Sequence, residues 1–468
     1  METAGCHGPA GFPGETRHDS SKSSLRASRR RLPHRNICVC GGRSTTRGAG
    51  RTMPGTDSFT LQDQVNIVLA ENIAPSAVEV LARASLHHVR RLPRAIGSAD
   101  ADVLAGAHVL GIRSRTQVTT GLLDAAPALV AVGCFSVGTN QVDLEAARAR
   151  GIPVFNAPFS NTRSVAELTI GEIVMLLRRI TPRSASAHEG GWDKSAENSY
   201  EVRGKTLGIV GYGNIGAQLS NLAEAMGMRV IFFDLTDRLR HGNTEPADSL
   251  DALLAASDVV SLHVPETPLT HGLMSAERIG RMKPGAYLIN NSRGTVVDLD
   301  ALADALKEGR LRGAAVDVFP VEPRSNDERF VSPLQGIPNV ILTPHIGGST
   351  EEAQDRIGSE VARKLVDYVE TGSTLGAVNF PQVQIPPRIG GVRFLHVHRN
   401  VPGVLGHVNQ AFARRGVNIA SQYLQTEGEL GYVVVEADAA PADRAGILAE
   451  LDAIDGTVRT RLIQARIA

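Results

Sequence analysis

Cysteine, tryptophan and net charge are all scarce in this sequence. Its 468 residues include 4 cysteines and 1 tryptophan, and aromatics make up 4%. Four cysteines cannot staple so long a chain, and Cys6, Cys38 and Cys40 crowd its N-terminus, leaving only Cys134 beyond. That usage excludes a disulfide scaffold and fits a reducing compartment. The 49 Lys+Arg balance the 49 Asp+Glu, so bulk positive charge is excluded as a driver of nucleic-acid binding. No apolar run approaches the roughly 18 residues that cross a bilayer. What the chain does have is 42% hydrophobic residues. That is enough for several cores in a protein whose length suggests about three domains of roughly 150 residues. The expectation is a cytoplasmic, multidomain protein that uses no metal.

The first 62 residues stand apart. Met1 to Leu61 holds ten Lys/Arg and four Asp/Glu, no hydrophobic periodicity, and much Gly, Ser and Thr. Such a stretch cannot bury enough apolar surface to offset its ordering entropy, so disorder is expected. The run Arg29-Arg30-Arg31 lacks the apolar segment of a targeting signal. Cys38-Val39-Cys40 has no second ligand pair at zinc spacing. The functional chain is expected to start near Met53.

From Val65 onward, short apolar runs alternate with helical patterns, the signature of a parallel, doubly wound sheet. Lys205 to Val210 reads as a buried strand opening into Gly211-Tyr212-Gly213-Asn214-Ile215-Gly216. A helix and a second strand follow, and the strand ends in Asp234. This strand–turn–helix context makes Gly-x-Gly-x-x-Gly a dinucleotide fingerprint. Gly211 permits the tight turn, Gly213 lets a pyrophosphate approach the backbone, and Gly216 lets helix and strand pack. Asp234 would accept from the ribose hydroxyls and repel a 2′-phosphate, which favours NAD over NADP. The fingerprint begins well inside the ordered chain, so another domain precedes it.

Three charged or titratable residues follow predicted strands of this same domain: Arg293 after Ala286–Ile289, Glu322 after Ala315–Phe319, and His345 after Asn339–Pro344. Ligands of open α/β sheets bind beyond the carboxyl ends of the strands, so the three can converge on one crevice. Together they suit hydride removal from a 2-hydroxy acid. An imidazole takes the hydroxyl proton, a carboxylate orients it, and a guanidinium holds the substrate carboxylate.

At these residues the sequence resembles the D-isomer-specific 2-hydroxyacid dehydrogenase family, in the bacterial branch that ends in an ACT regulatory domain. The resemblance covers Val65 to the C-terminus. It rests on Gly111-Ile112-Arg113-Ser114-Arg115-Thr116, on Phe159-Ser160-Asn161-Thr162-Arg163-Ser164-Val165-Ala166-Glu167, on Asn291-Ser292-Arg293-Gly294-Thr295-Val296-Val297-Asp298 and on Pro344-His345-Ile346-Gly347-Gly348-Ser349-Thr350. It implies catalytic roles for Arg293, Glu322 and His345. Cofactor contacts are implied at Asn214, Ile215, Asp234, Asn291, Ser292, Asp317, Ile346, Gly347 and Gly348. Arg113, Ser114, Arg115 and Asn161 would bind the substrate anion, with Lys194 as a further phosphate contact from its own or a neighbouring subunit.

The implied fold is α/β: a Rossmann domain (161–347) inserted in a discontinuous flavodoxin-like substrate domain (63–160 and 348–378). A linker (379–391) then leads to a ferredoxin-like βαββαβ module (392–468). The implied substrate is 3-phosphoglycerate, whose two anionic ends suit the Arg113/Arg115 pair and Arg293, and the implied assembly is a tetramer. Reduction of 2-oxoglutarate to 2-hydroxyglutarate is a candidate second activity. In the C-terminal module, His398, Asn400 and Asn418 match serine-contacting positions, although Val401 stands where an arginine often precedes Pro-Gly. A hydroxypyruvate or glyoxylate reductase and a non-enzymatic NAD-sensing corepressor are the alternatives.

Overall fold

The computed structural model describes residues 57–59 by their backbone, and residues 65–323, 327–387 and 391–464. The expectations for the Arg29–Arg31 run, Cys38–Cys40 and the start at Met53 lie outside the described residues. The first described strand, β1 (Asp57–Phe59), belongs to the C-terminal sheet and is taken up there.

Strands β2 (Ile67–Leu69), β3 (Val89–Arg91), β4 (Val109–Ile112), β5 (Ala131–Cys134) and β6 (Val154–Phe155) form a parallel sheet in the order β3-β2-β4-β5-β6. Successive residues alternate between two cores. Ile67, Leu69, Val109 and Ala131 enter one, and Val68, Leu110, Val132 and Cys134 the other. Burial on both faces explains why these strands read as unbroken apolar runs. The long helix Glu351–Thr371 covers the first face through Ile357, Val361, Leu365 and Tyr368, although some two hundred residues separate it from β6.

Between those segments lie β7 (Thr206–Val210), β8 (Arg229–Phe233), β9 (Glu245–Pro246), β10 (Val259–Leu262), β11 (Tyr287–Asn290), β12 (Gly313–Val316) and β13 (Val340–Leu342). They form a second parallel sheet in the order β13-β12-β11-β10-β7-β8-β9. Its first strand, β7, sits between β8 and β10, so strand order reverses there and leaves a crevice at the carboxyl ends. Helix Thr162–Arg178 packs on this sheet, burying Ala166, Ile173, Leu176 and Leu177 with Leu207, Ile209 and Ile289.

The third sheet contains β14 (Val392–Arg399), β15 (Ile419–Glu427), β16 (Leu430–Ala437) and β17 (Thr457–Gln464), in the order β1-β17-β14-β16-β15. Its helices, Val404–Ala413 and Pro441–Asp452, make the βαββαβ order, and β1 adds a parallel edge strand to β17. This corrects the reading of residues 1–62 as wholly without structure. A three-residue strand carries no periodicity of its own, and its partner lies at the other end of the chain.

The linker expectation also needs correction. Asn379, Phe380, Val383 and Ile385 are buried, and the Asn379 Oδ1 accepts the Val154 N–H at 2.9 Å. Pro381, Pro386 and Pro387 suggested a free spacer, but the apolar residues between them have a surface to cover. That surface is the third sheet's second face, where Leu395, Val397, Tyr432, Val434 and Ile463 join the core of Phe155, Tyr368 and Phe380. The first face packs on its own helices through Phe394, Val433 and Val435.

Polar contacts tie the sheet to the end of the long helix. The Tyr432 hydroxyl donates to the Gly372 carbonyl at 2.6 Å, Arg393 Nη1 to Thr371 O at 3.1 Å and Arg461 Nη2 to Val369 O at 3.0 Å. These carbonyls are among those a helix leaves unpaired at its C-terminus. Tyr432→Phe, which strands a buried carbonyl, is expected to cost about 1–3 kcal/mol in urea unfolding. An unchanged midpoint would mean that this hydrogen bond adds nothing to the apolar packing of the module.

Candidate active site

The carboxyl ends of the second sheet's strands bring the cofactor residues together. Gly211 has φ +91°, and a Cβ there would lie 2.5 Å from the His263 carbonyl oxygen at the end of β10. A Cβ on Gly216 would lie 2.4 Å from the Gly211 oxygen, so the helix can start this close to its strand only with glycine. Gly213 caps helix Asn214–Ala225 and faces open space, with Asn214 exposed and Ile215 half-buried beside it. Open space before unpaired helix N–H groups is what a pyrophosphate needs.

Asp234, at the end of β8, is held by its own loop. Its Oδ2 accepts the Tyr212 N–H at 2.9 Å and pairs with Arg238 at 3.3 Å, and its Oδ1 accepts the Thr236 N–H and hydroxyl. Burial works against ionisation, but Thr236, Arg238 and Tyr212 outweigh it and hold the carboxyl below its usual range. The donor geometry and the carboxylate fit an NAD dinucleotide.

Arg293, Glu322 and His345 meet beyond β11, β12 and β13. The Glu322 carboxylate reaches His345 Nδ1 at 2.9 and 3.1 Å and accepts the Phe319 N–H at 3.1 Å. Glu322 raises the His345 pKa against the opposing effect of burial. Burial likewise pushes Glu322 up, but His345, the Phe319 N–H and Arg293 bring it below its ordinary value. With Nδ1 bonded to a carboxylate, the imidazole leaves Nε2 as its free base. The Arg293 guanidinium donates to the Ser292 carbonyl at 2.7 Å, and it lies 3.3 Å from where a Cβ on Gly138 of the substrate domain would stand. A Cβ on Gly294 would meet the Phe319 carbonyl carbon at 2.0 Å, so the Arg-Gly step lets this loop lie against the segment after β12 that carries Glu322.

Asp317, Ser292 and Asn291 lie just behind. The Asp317 carboxylate accepts the Thr343 hydroxyl at 2.6 Å and the Ile346 and Gly347 N–H groups at 2.8 Å each. Its capacity is spent on the turn that carries His345. Ser292 bonds to Asn290 Oδ1 at 2.7 Å, and Asn291 bonds to helix Thr162–Arg178. A Cβ on Gly348 would lie 2.6 Å from Asn161 Nδ2, which places Asn161 beside the same turn, with its Oδ1 buried and unbonded.

The loop Arg113–Thr116 follows β4. Its Arg113, Arg115 and Thr116 N–H groups all point to the carboxylate of Glu71, at 3.2, 2.8 and 2.8 Å. Ser114 and Arg115 are exposed and Arg113 half-buried. Sequence reasoning passed over Glu71, although an acidic residue directly after the apolar strand β2 was a usable signal. Lys194 is exposed beside Trp192 (84% exposed) and makes no ion pair among the described residues. Among the described residues no ion pair or hydrogen bond joins it to the other expected site residues.

The residues expected to contact an effector do not converge within one chain. His398 is buried, 3.3 Å from His396 through their Nδ1 atoms, and Asn400 donates to the Gly428 carbonyl at 3.2 Å. Asn418 precedes β15 at the far end of the sheet, because Ile419 pairs with Ala437 and Ala437 with Val392. Seven residues of strand at ~3.3 Å each separate the two ends. Sequence distance alone could not reveal this antiparallel register.

The model of the D-isomer specific 2-hydroxyacid dehydrogenase NAD-binding domain matches residues 170–347, and that of the acetohydroxyacid-synthase small-subunit-like ACT domain matches residues 394–459. The chain belongs to the D-isomer-specific 2-hydroxyacid dehydrogenase family, and it is an NAD-dependent oxidoreductase. Within that family it is 54% identical to D-3-phosphoglycerate dehydrogenase of Haemophilus influenzae over 403 residues, covering 86% of this chain and 98% of the relative. The Escherichia coli K12 protein of the same name is 53% identical over 405 residues, with the same coverage. Among solved structures, D-lactate dehydrogenase from Aquifex aeolicus, complexed with NAD and lactic acid, is 30% identical. It superposes with a TM-score of 0.57 over 65% of this chain and 95% of that one. D-2-hydroxyisocaproate dehydrogenase, 25% identical, gives a TM-score of 0.61 over 67% of this chain and 100% of its own.

The Glu322–His345 pair has a pH signature. His345 should titrate above 6.5 by NMR, and its pKa should fall in E322Q, where burial acts without the carboxylate. The pair's stability contribution is then fullest between about pH 4.5 and 6.5. It is lost as pH rises through the raised His345 pKa, or falls through the lowered Glu322 pKa. The same His345 pKa in wild type and E322Q would refute the coupling.

Proposed function

We propose that this protein oxidises D-3-phosphoglycerate to 3-phosphohydroxypyruvate with NAD, the opening step of L-serine biosynthesis. The observation that carries the reading is His345 bonded to Glu322 beside Arg293, at the end of a sheet with a dinucleotide cradle. The name of the 53–54% identical relatives supports the substrate.

In this reading Nε2 of His345 takes the proton from the substrate's 2-hydroxyl, while Glu322 stabilises the imidazolium that forms. Arg293 pairs with the substrate carboxylate and polarises the developing carbonyl. Arg113 and Arg115 hold the phosphate. Their loop is fixed by Glu71, which accepts its backbone N–H groups and leaves both guanidinium groups without an ion pair among the described residues. Asn161 and Ser114 complete the anion site, and Lys194 joins from a neighbouring subunit. NAD, when bound, supplies the hydride acceptor, and Gly211 to Gly216, Asp234, Asn291, Ser292, Asp317 and Ile346 to Gly348 hold or support it.

Serine is the proposed feedback effector, bound between the ACT modules of two chains in a tetramer, because His398 and Asn400 lie at one end of the sheet and Asn418 at the other. Inhibition requires that serine bind the less active arrangement more tightly, with a coupling of about 1–3 kcal/mol. Reduction of 2-oxoglutarate to 2-hydroxyglutarate, read as NADH consumption, is a second activity to test. A cytoplasmic location suits this metabolism, and among the described residues no helix is long and apolar enough to cross a membrane.

The test is NADH formation from 3-phosphoglycerate by the full chain, with and without millimolar serine. H345A is expected to lower kcat at least about 100-fold, the range for losing an acid–base group. Serine is expected to lower kcat more than it raises KM. No turnover of 3-phosphoglycerate, beside turnover of another 2-hydroxy acid, would overturn the substrate. Turnover insensitive to serine would leave the module without its proposed effector.

A further inference from the structure

A buried carboxyl behind the Arg293 loop has no role in the chemistry above. Glu172, on helix Thr162–Arg178, is 1% exposed. Its Oε2 accepts from Asn291 Nδ2 at 2.7 Å, and the same amide donates to Thr169 Oγ1 at 3.0 Å. Thr169 spends its own proton on the Val165 carbonyl at 2.8 Å. Every donor in the cluster is therefore used. Two acceptors are left over, since Glu172 Oε1 and Asn291 Oδ1 are both buried without a partner. Turning the Asn291 amide over does not help, because it sets Oδ1 against an acceptor oxygen of Glu172. What the cluster lacks is one proton.

We propose that Glu172 is a positioning residue that works as a neutral acid, its proton completing the hydrogen bonds behind Asn291 and so fixing the loop that presents Ser292 and Arg293. A carboxylate here would be an uncompensated buried charge, whereas an acid supplies the missing donor. The elements packed against this helix bring several titratable groups: Arg183, His188, Glu224 and Tyr287, with Arg293, Asp317 and His345 beyond the strand ends. Of these, the Asp317 carboxylate acts on Glu172, and it repels a second negative charge. Burial first, then Asp317, pushes the Glu172 pKa up to about 8 against the opposing Asn291 bond. The loop then loosens in mildly alkaline solution, where Glu172 ionises.

Between the ordinary value of 4.5 and about 8 the native protein holds a proton that the unfolded chain has released. Stability therefore falls with rising pH across that window and levels above it.

The experiment compares wild type, E172Q and E172A as full chains. Melting is followed from about pH 5 to 9.5, and NADH binding by fluorescence titration over the same range. Glutamine mimics the neutral acid. The wild-type Tm is expected to fall relative to E172Q up to about pH 8 and then to run parallel. Wild-type NADH affinity should weaken above about pH 8 while that of E172Q stays level, and E172A should bind at least about tenfold more weakly than E172Q throughout. A constant Tm difference across the range would overturn the proposal, as would E172Q binding no better than E172A. So would an E172Q that fails to fold while E172D folds, because the site would then demand the charge. The Tm readout is independent of the assigned reaction, whereas NADH binding rests on the NAD reading. Normal Tm behaviour with no NADH binding by any variant would count against that reading and leave Glu172 as inferred.

Discussion

One buried carboxylate organises the catalytic end of this molecule. Asp317 leaves β12 with its backbone N–H donating to Asn290 of β11 and its carbonyl accepting from His345 beyond β13. Its side chain then takes the Thr343 hydroxyl and the Ile346 and Gly347 N–H groups. His345 sits in this turn at φ +54°, a left-handed conformation unusual for a residue with a side chain. Such strain persists only where the surroundings over-determine it, and Asp317 supplies the bonds that do so. The consequence is geometric: Nδ1 of His345 is presented to Glu322 from the neighbouring strand end.

The same turn opens the long helix Glu351–Thr371, capped at its start by the Thr350 hydroxyl and at its end by Tyr432, Arg393 and Arg461 of the ACT sheet. One helix thus runs from the turn of His345 to the ACT module. The inner strands β14 and β16 are buried on both faces, with the substrate domain on one side and the module's own helices on the other, while β15 stays largely exposed. The serine regulation proposed above has this capped helix as its route to the site, and the buried segment after Thr371 lies in the same core.

Much of this was legible in the sequence because it depends on local pattern. Strands buried on both faces wrote themselves as runs such as Val109–Ile112 and Leu207–Val210, and Gly211-x-Gly213-x-x-Gly216 named its own turn. Arg293, Glu322 and His345 could be placed together because each follows a strand of one parallel sheet, whose carboxyl ends share an edge. What stayed hidden depends on partners distant in sequence. Glu71 and Glu172 are carboxylates whose roles are set by loops 42 and 119 residues away. The 379–391 segment looked like a spacer because proline marks a break without saying what packs over it. The separation of Asn418 from Asn400 follows from antiparallel register, which motif spacing does not encode.

Asp317 acts by holding the His345 turn, and kcat of the D317N variant tests this role most directly. Asparagine keeps the size but offers one acceptor oxygen where three donors converge, so one or more of Thr343, Ile346 and Gly347 loses its bond. Displacement of the histidine by about 1 Å is expected to lower kcat on the order of 100-fold while the protein remains folded. A D317N enzyme that turns over at the wild-type rate would contradict the account.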